Sequence, residues 1–183
     1  MLRKIIIGAV LFSLILALVA CAGSASKPAP SPTPTPAPKP APSPTLTPVT
    51  KPSEPIKAKW IEPQVNGDTV SIPLNELENN LNVHFKLETQ EGEMTFMAYK
   101  YDGEIYVRAN ICPPCRSIGY TLEEDILICD TCATTFEAKT GAGIKGACVN
   151  YPKAPVSYQT INGNIVMNEA DLVSAYQDTI KRG

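Results

Sequence analysis

ICPPCRSIGYTLEEDILICDTCATTFEAKTG, residues 111–141, decides how the rest of the chain is read. Four cysteines stand in it as Cys112-x2-Cys115 and Cys129-x2-Cys132, with thirteen residues between the pairs. A C-x-x-C pair on a tight turn aims two sulfurs at one point. Two such turns on neighbouring hairpins complete a four-sulfur cage, which suits zinc or iron and little else. Everything N-terminal to this stretch reads as delivery apparatus or as sheet supporting the cage.

Rival readings of the same four thiols weaken on inspection. Cys112-Pro113-Pro114-Cys115 has the spacing of a thioredoxin-type redox pair, but that chemistry sets its first cysteine at a helix N-terminus to lower the thiol pKa. Here Cys115 runs into Arg116-Ser117-Ile118-Gly119-Tyr120, a turn with no long helix behind it. Disulfides within each C-x-x-C close tiny loops of small entropic value. A zinc ribbon fits both knuckles, although the gap is slightly short of the usual spacing. An iron–sulfur centre fits equally well on ligand type, so these two readings stay open at this point.

Working outward toward the N-terminus, Arg3 and Lys4 precede an uncharged, mostly apolar run from Ile5 to Ala20. That run is short for a membrane span and reads as an export signal, residues 1–20. Its end, Leu18-Val19-Ala20-Cys21, resembles a bacterial lipoprotein signal, in which the cysteine thiol receives a diacylglyceryl group and becomes the new N-terminus. Acyl chains at Cys21 then hold the protein on the membrane stably, whereas a single chain binds only marginally. Residues 21–56 follow as a lipidated N-terminus and linker. Lys27 to Pro55 alternates proline with Ala, Ser, Thr and Lys, the composition of a solvated polyproline II rod. Fully extended, it reaches roughly 90 Å. The expected location is the extracytoplasmic face of the cell membrane.

Residues 57–183 form the expected folded domain. Asp68 to Ile72 is a strand, and Pro73 to Leu77 is one helical turn. Asn82 to Thr89 alternates, with Val83, Phe85 and Leu87 on one side and His84 and Lys86 on the other. His84, the single histidine, is therefore expected at the solvent-facing side of its strand. Met94 to Tyr101 and Glu104 to Ile111 make a hairpin around Asp102-Gly103, and Val156 to Thr160 pairs Asn164 to Met167 around Asn162-Gly163. A closing helix begins after Asn168 as N-cap, with Leu172, Val173, Tyr176 and Ile180 as its apolar stripe. Formal net charge is -2, so no basic surface points to nucleic acid. No Ser-His-Asp set, carboxylate dyad or phosphate loop is visible, so the chain reads as a carrier or metal-binding module and not as an enzyme.

Two resemblances bear on the metal. Cys129 to Gly141 resembles the second ligand loop of Rieske iron–sulfur domains, with Phe136, Thr140 and Gly141 on matching positions. Cys132 stands where Rieske proteins have histidine and Ala133 where they have glycine, so the ligand set here is all cysteine. From about Val70 to Ile180 the chain resembles the soluble domain of FtrD-like membrane iron–sulfur proteins. The carriers of that likeness are Phe85, the lead from Gly103 to Val107, both C-x-x-C pairs, Gly119-Tyr120 and a later single cysteine, Cys148. The segment Gly146-Ala147-Cys148-Val149-Asn150-Tyr151-Pro152 is a looser version of the family's Gly-Gly-Cys-Asn-Pro.

The resemblance implies a mainly β fold. It would be a small Rieske-like or rubredoxin-knuckle β-sandwich or barrel with two cysteine hairpin loops and a C-terminal helix. It also implies electron transfer in the cell envelope through an iron–sulfur cluster, of the 2Fe-2S type, with a redox or transporter partner and a link to iron uptake or envelope redox. The ligands would be Cys112, Cys115, Cys129 and Cys132. Cys148 is either a buried small hydrophobe or a thiol within reach of the centre. The class-level alternative is zinc in the same cage, in a module that presents its loops to an envelope partner. Four thiolates carry more negative charge than a His2Cys2 set, which lowers the potential relative to Rieske centres reaching about +300 mV.

Overall fold

The computed structural model describes residues 54–181. The expected signal, Cys21 and the proline-rich linker up to residue 53 lie outside the described residues. No helix among the described residues is long and apolar enough to cross a membrane.

The fold is mainly β, with three four-stranded sheets and two helices among the described residues. Its middle layer is β4 (Asn82–Thr89), β5 (Gly92–Tyr101) and β6 (Glu104–Ala109), with β1 (Lys59–Trp60) parallel to β4 at one edge. The β5–β6 turn is the expected Asp102-Gly103, with φ of 51° and 79°, the left-handed pair that a type I′ turn requires. Along β4 and β5 the alternation sends Val83, Phe85, Leu87, Phe96 and Ala98 to one face. His84, Met97 and Tyr99 go to the other.

The first face is closed by a second sheet in the order β11 (Tyr158–Ile161), β12 (Asn164–Asn168), β3 (Thr69–Pro73) and β2 (Gln64–Asn66), and by the helices. Helix α1 spans Leu74–Asn80 and buries Leu77. Helix α2 spans Glu169–Ile180, and the Asn168 side chain accepts from the Ala170 N–H at 2.9 Å, as an N-cap does. Its buried stripe is rotated from the expected one. Leu172, Ala175 and Thr179 face inward, and Ile180 is exposed. Thr179 Oγ1 accepts from the Ala154 N–H at 2.9 Å, which turns a hydroxyl toward the strand side in place of the isoleucine.

The second face is not open to solvent. It is covered by a third sheet, in the order β10 (Gly143–Lys145), β9 (Thr135–Glu137), β8 (Ile126–Cys129) and β7 (Tyr120–Glu123). Ile56 and Leu122 exchange backbone hydrogen bonds at 2.7 and 3.0 Å, tying the start of the described chain to β7. Asn82 Nδ2 donates to the carbonyls of Ile56 and Tyr120 at 3.1 and 3.0 Å. The expected exposure of His84 is therefore corrected. It is 1 % exposed and meets the Trp60 ring edge-on at 5.2 Å. A polar residue on the second face of a strand is solvated only if nothing covers that face, and here a whole sheet does.

Candidate metal centre

Two turns of the same construction carry the paired cysteines. In the first, Arg116 N–H donates to Cys112 carbonyl at 2.7 Å and Cys112 N–H to Ser117 carbonyl at 2.8 Å. In the second, Ala133 N–H donates to Cys129 carbonyl and Cys129 N–H to Thr134 carbonyl, both at 2.9 Å. Each places its fifth residue in the left-handed region, Arg116 at φ 57° and Ala133 at φ 53°. Neither is glycine, so both turns hold a conformation that side chains adopt at some cost. In each turn the next residue carries a hydroxyl, Ser117 or Thr134.

A third segment completes the site. β10 folds back on β9 with a register shift, and the chain then crosses the second turn. A Cβ at Gly146 would stand 2.5 Å from Thr134 Oγ1, and one at Gly143 would collide with the Val149 backbone, so the return path needs both glycines. The return delivers Cys148, whose N–H donates to Thr134 Oγ1 at 3.2 Å. The same oxygen lies 3.2 Å from Cys132 Sγ, so one threonine binds the two cysteines together.

Five thiols converge as a result. The Sγ atoms of Cys112, Cys115, Cys132 and Cys148 lie within 4.8 Å of one another. Cys129 Sγ is 3.6 Å from Cys115 Sγ, and Cys132 Sγ is 3.7 Å from Cys148 Sγ. The paired spacing singled out Cys112, Cys115, Cys129 and Cys132; the structure brings Cys129 beside Cys115, while Cys148 and not Cys129 completes the quartet within 4.8 Å. Cys112, Cys129 and Cys148 are buried, while Cys115 and Cys132 are half-buried and form the rim. His84, edge-on to Trp60, takes no part.

The electrostatics set Cys112 and Cys129 apart from Cys132. Burial pushes the Cys112 and Cys129 thiols up from their ordinary value. Burial acts on Cys132 in the same direction, but hydrogen bonds from the Thr134 hydroxyl and N–H outweigh it and bring that thiol down to about 6. The Tyr120 hydroxyl is buried beside Cys112, raised by burial and then by the neighbouring sulfurs. Lys153 is 1 % exposed, with Nζ donating to the Ile111 carbonyl at 2.6 Å and lying 4.5 Å from the Phe136 ring centre. Arg108 holds the Lys153 segment in place by donating to the carbonyls of Lys153 and Lys139 at 2.9 and 2.6 Å. Its Nε donates to Tyr99 Oη at 2.8 Å.

The donor set fits a thiolate-bound metal. Five sulfurs meet inside a shell of Tyr120, Leu127 and Phe136. Soft thiolates select zinc and iron–sulfur over harder ions. For a single ion with bonds of about 2.3 Å, a tetrahedral edge is about 3.8 Å, close to the 3.6 and 3.7 Å contacts. Thr134 and Lys153 were not singled out from sequence. A hydroxyl two residues after a C-x-x-C is a usable signal for the first, but an isolated lysine gives none for the second.

Comparison with known proteins follows from this geometry. The family described as "Membrane iron-sulfur containing protein FtrD-like" matches residues 77–178. No curated protein matches the chain. Among solved structures, the chain is similar to a complex of reduced oxygenase and oxidized ferredoxin in carbazole 1,9a-dioxygenase, at 15% identity and TM-score 0.40, covering 47% of this chain and 80% of that one. It is similar to a ferredoxin of Sphingomonas yanoikuyae B1, at 21% identity and TM-score 0.38, covering 45% and 83%. It is also similar to the cyanobacterial plasma membrane Rieske protein from Synechocystis PCC 6803, at 17% identity and TM-score 0.40, covering 52% and 94%.

Proposed function

The chain belongs to the FtrD-like family of membrane iron–sulfur proteins, and from that premise we propose that its thiols hold an iron–sulfur cluster and that it carries single electrons at the membrane. The observation that carries this reading is the convergence of five cysteine sulfurs, all inside the segment that the family model matches. When bound, such a cluster supplies a one-electron couple. Cys112, Cys115, Cys129 and Cys132 are the proposed ligands of a 2Fe-2S centre, with Cys148 as the fifth thiol of the same pocket.

The surrounding residues do the rest. Tyr120, Leu127 and Phe136 exclude water from the buried side, where Cys112 and Cys129 lie. Cys115 and Cys132 reach the surface, so a redox partner meets the centre at that rim. In the proposed arrangement Cys21 carries a lipid anchor, and the proline-rich linker holds the domain off the extracytoplasmic face of the membrane. The partner is then an envelope oxidoreductase or transporter, within iron uptake or envelope redox chemistry.

A second reading is zinc in a structural four-thiolate site. The sulfur spacing favours it, because four thiols within 4.8 Å take one tetrahedral ion with little movement. Anaerobic purification followed by iron, zinc and acid-labile sulfide analysis separates the two. A brown protein with iron and sulfide in equal amounts supports the cluster. A colourless protein with one zinc and no sulfide replaces it with the second reading.

A further inference from the structure

Lys153 is a fully buried cation with no carboxylate accepting from it among the described residues, and that calls for a cause. Its Nζ donates to one carbonyl, that of Ile111, at 2.6 Å. The ring centres of Phe136 and Tyr120 lie 4.5 and 5.2 Å away, and their negative faces attract a cation. One carbonyl and two rings do not replace the hydration of an ammonium ion, whose removal from water costs several kcal/mol.

What lies around it is the thiol centre. Cys112, Cys129, Cys148 and Cys115 all act on the Lys153 ammonium in the direction that favours its charge, against a burial effect that lowers its pKa to about 8. Ile111, its carbonyl partner, is the residue directly before Cys112. Lys153 therefore meets the site beside Cys112, one of its buried thiols. Its backbone is fixed by two hydrogen bonds, Lys153 N–H to the Gly141 carbonyl at 2.8 Å and Arg108 Nη1 to the Lys153 carbonyl at 2.9 Å. The amine is held in place by the fold itself.

We propose that Lys153 is the built-in counter-cation of the thiolate centre: it offsets the negative charge that the loaded cage accumulates, favours metal loading, and holds the reduction potential above the value the thiolates alone would set. This rests on the reading of the five thiols as a metal centre, and holds for zinc or for iron. A metal takes the cysteines as thiolates, so the empty cage offers the ammonium less counter-charge than the loaded one. In the loaded protein it faces several thiolates. The same side chain is thus a cost in one state and a gain in the other, which a purely packing role does not produce.

The test uses the full chain with Lys153→Met, which keeps the length of the stem and removes the charge. Three quantities are measured: zinc affinity by competition with a chromophoric chelator, denaturation of the reduced metal-free protein, and the midpoint potential after reconstitution with iron and sulfide. Zinc binding is expected to weaken about 10- to 100-fold, the usual loss when an outer partner of a metal site is removed. The metal-free variant is expected to be at least as stable as the parent, and the reconstituted variant to have a lower potential. Unchanged zinc affinity overturns the proposal. So does an equal loss of stability with and without metal, or a variant that cannot fold even when empty. If no chain, parent included, assembles iron and sulfide while zinc affinity still follows Lys153, the counter-cation stands and the iron–sulfur reading falls.

Discussion

The β4–β5–β6 sheet has two buried faces, and they are built from opposite chemistry. Toward helix α2, Phe85, Phe96, Val107, Ile165 and Leu172 fill the space, and their burial removes apolar surface from water at about 25 cal/mol per Å². Toward the cysteines, the buried set includes the thiols of Cys112, Cys129 and Cys148, with Lys153, Arg108, His84 and Asn82. The first face stabilises the fold whatever is bound. The second gathers groups that are costly to bury unless something pairs with them: Arg108 and Asn82 find carbonyls, and a metal on the thiols would serve the cysteines and Lys153. One sheet therefore joins a self-sufficient core to a core that depends on its ligand.

The strongest way to break this contrast is to strip the metal. Metal binding in small thiolate sites is largely folding free energy, on the order of 10 kcal/mol for structural zinc at neutral pH. Chelation should therefore release the cysteine sheet while the other face persists. Amide hydrogen exchange reads this directly. The N–H groups of Cys112, Arg116, Cys129 and Ala133 should lose protection, and those of β12 and α2 should keep theirs. Uniform loss across both faces would mean the two cores are not separable.

A truncation on the apolar face sharpens the contrast from the other side. Phe85→Ala opens a cavity beside Phe96, its stacked neighbour at 5.6 Å between ring centres, and should cost about 4 kcal/mol by chemical denaturation. The loss should be the same in metal-loaded and metal-stripped protein. A cost that vanishes on stripping would place Phe85 in the ligand-dependent core.

His84 gives a third, smaller test. Burial lowers its pKa from 6.5 to about 3, and neither ring nitrogen has a partner among the described residues. The folded state thus holds it neutral. As pH falls below 6.5 the unfolded chain takes up a proton that the folded chain refuses, so stability declines down to about pH 3. The integrated loss is about 5 kcal/mol. His84→Phe should flatten that profile over the pH range in which the metal stays bound, and an unchanged profile would put the acid sensitivity elsewhere. Smallest of all, Asn168→Ala removes the α2 cap and should cost about 1 kcal/mol, with no change in metal content.

The apolar face was largely legible in the sequence. β4 occupies the expected Asn82–Thr89, and the Asp102-Gly103 and Asn162-Gly163 turns fall where their composition places them. These features rest on local periodicity and turn chemistry, which one strand or one turn is enough to express. The paired cysteines were legible for the same reason, since each knuckle is a local structure. His84, Lys153 and Arg108 were not, because their burial is a property of a second layer laid over the sheet. A charged or polar residue in an alternating strand gives no sign that such a layer exists. Cys148 stood between. Its glycine-rich approach was visible, but its seat beside Cys132 depends on Thr134, Gly143 and Gly146 meeting across separate strands.

Native mass spectrometry of the anaerobically purified full chain tests the iron–sulfur reading most directly, because the mass added to the chain identifies what the thiols hold. The expected spectrum shows an increment made up of iron and inorganic sulfide, lost when the protein is acidified. A bare chain, or an increment of one zinc with no sulfide, would contradict it.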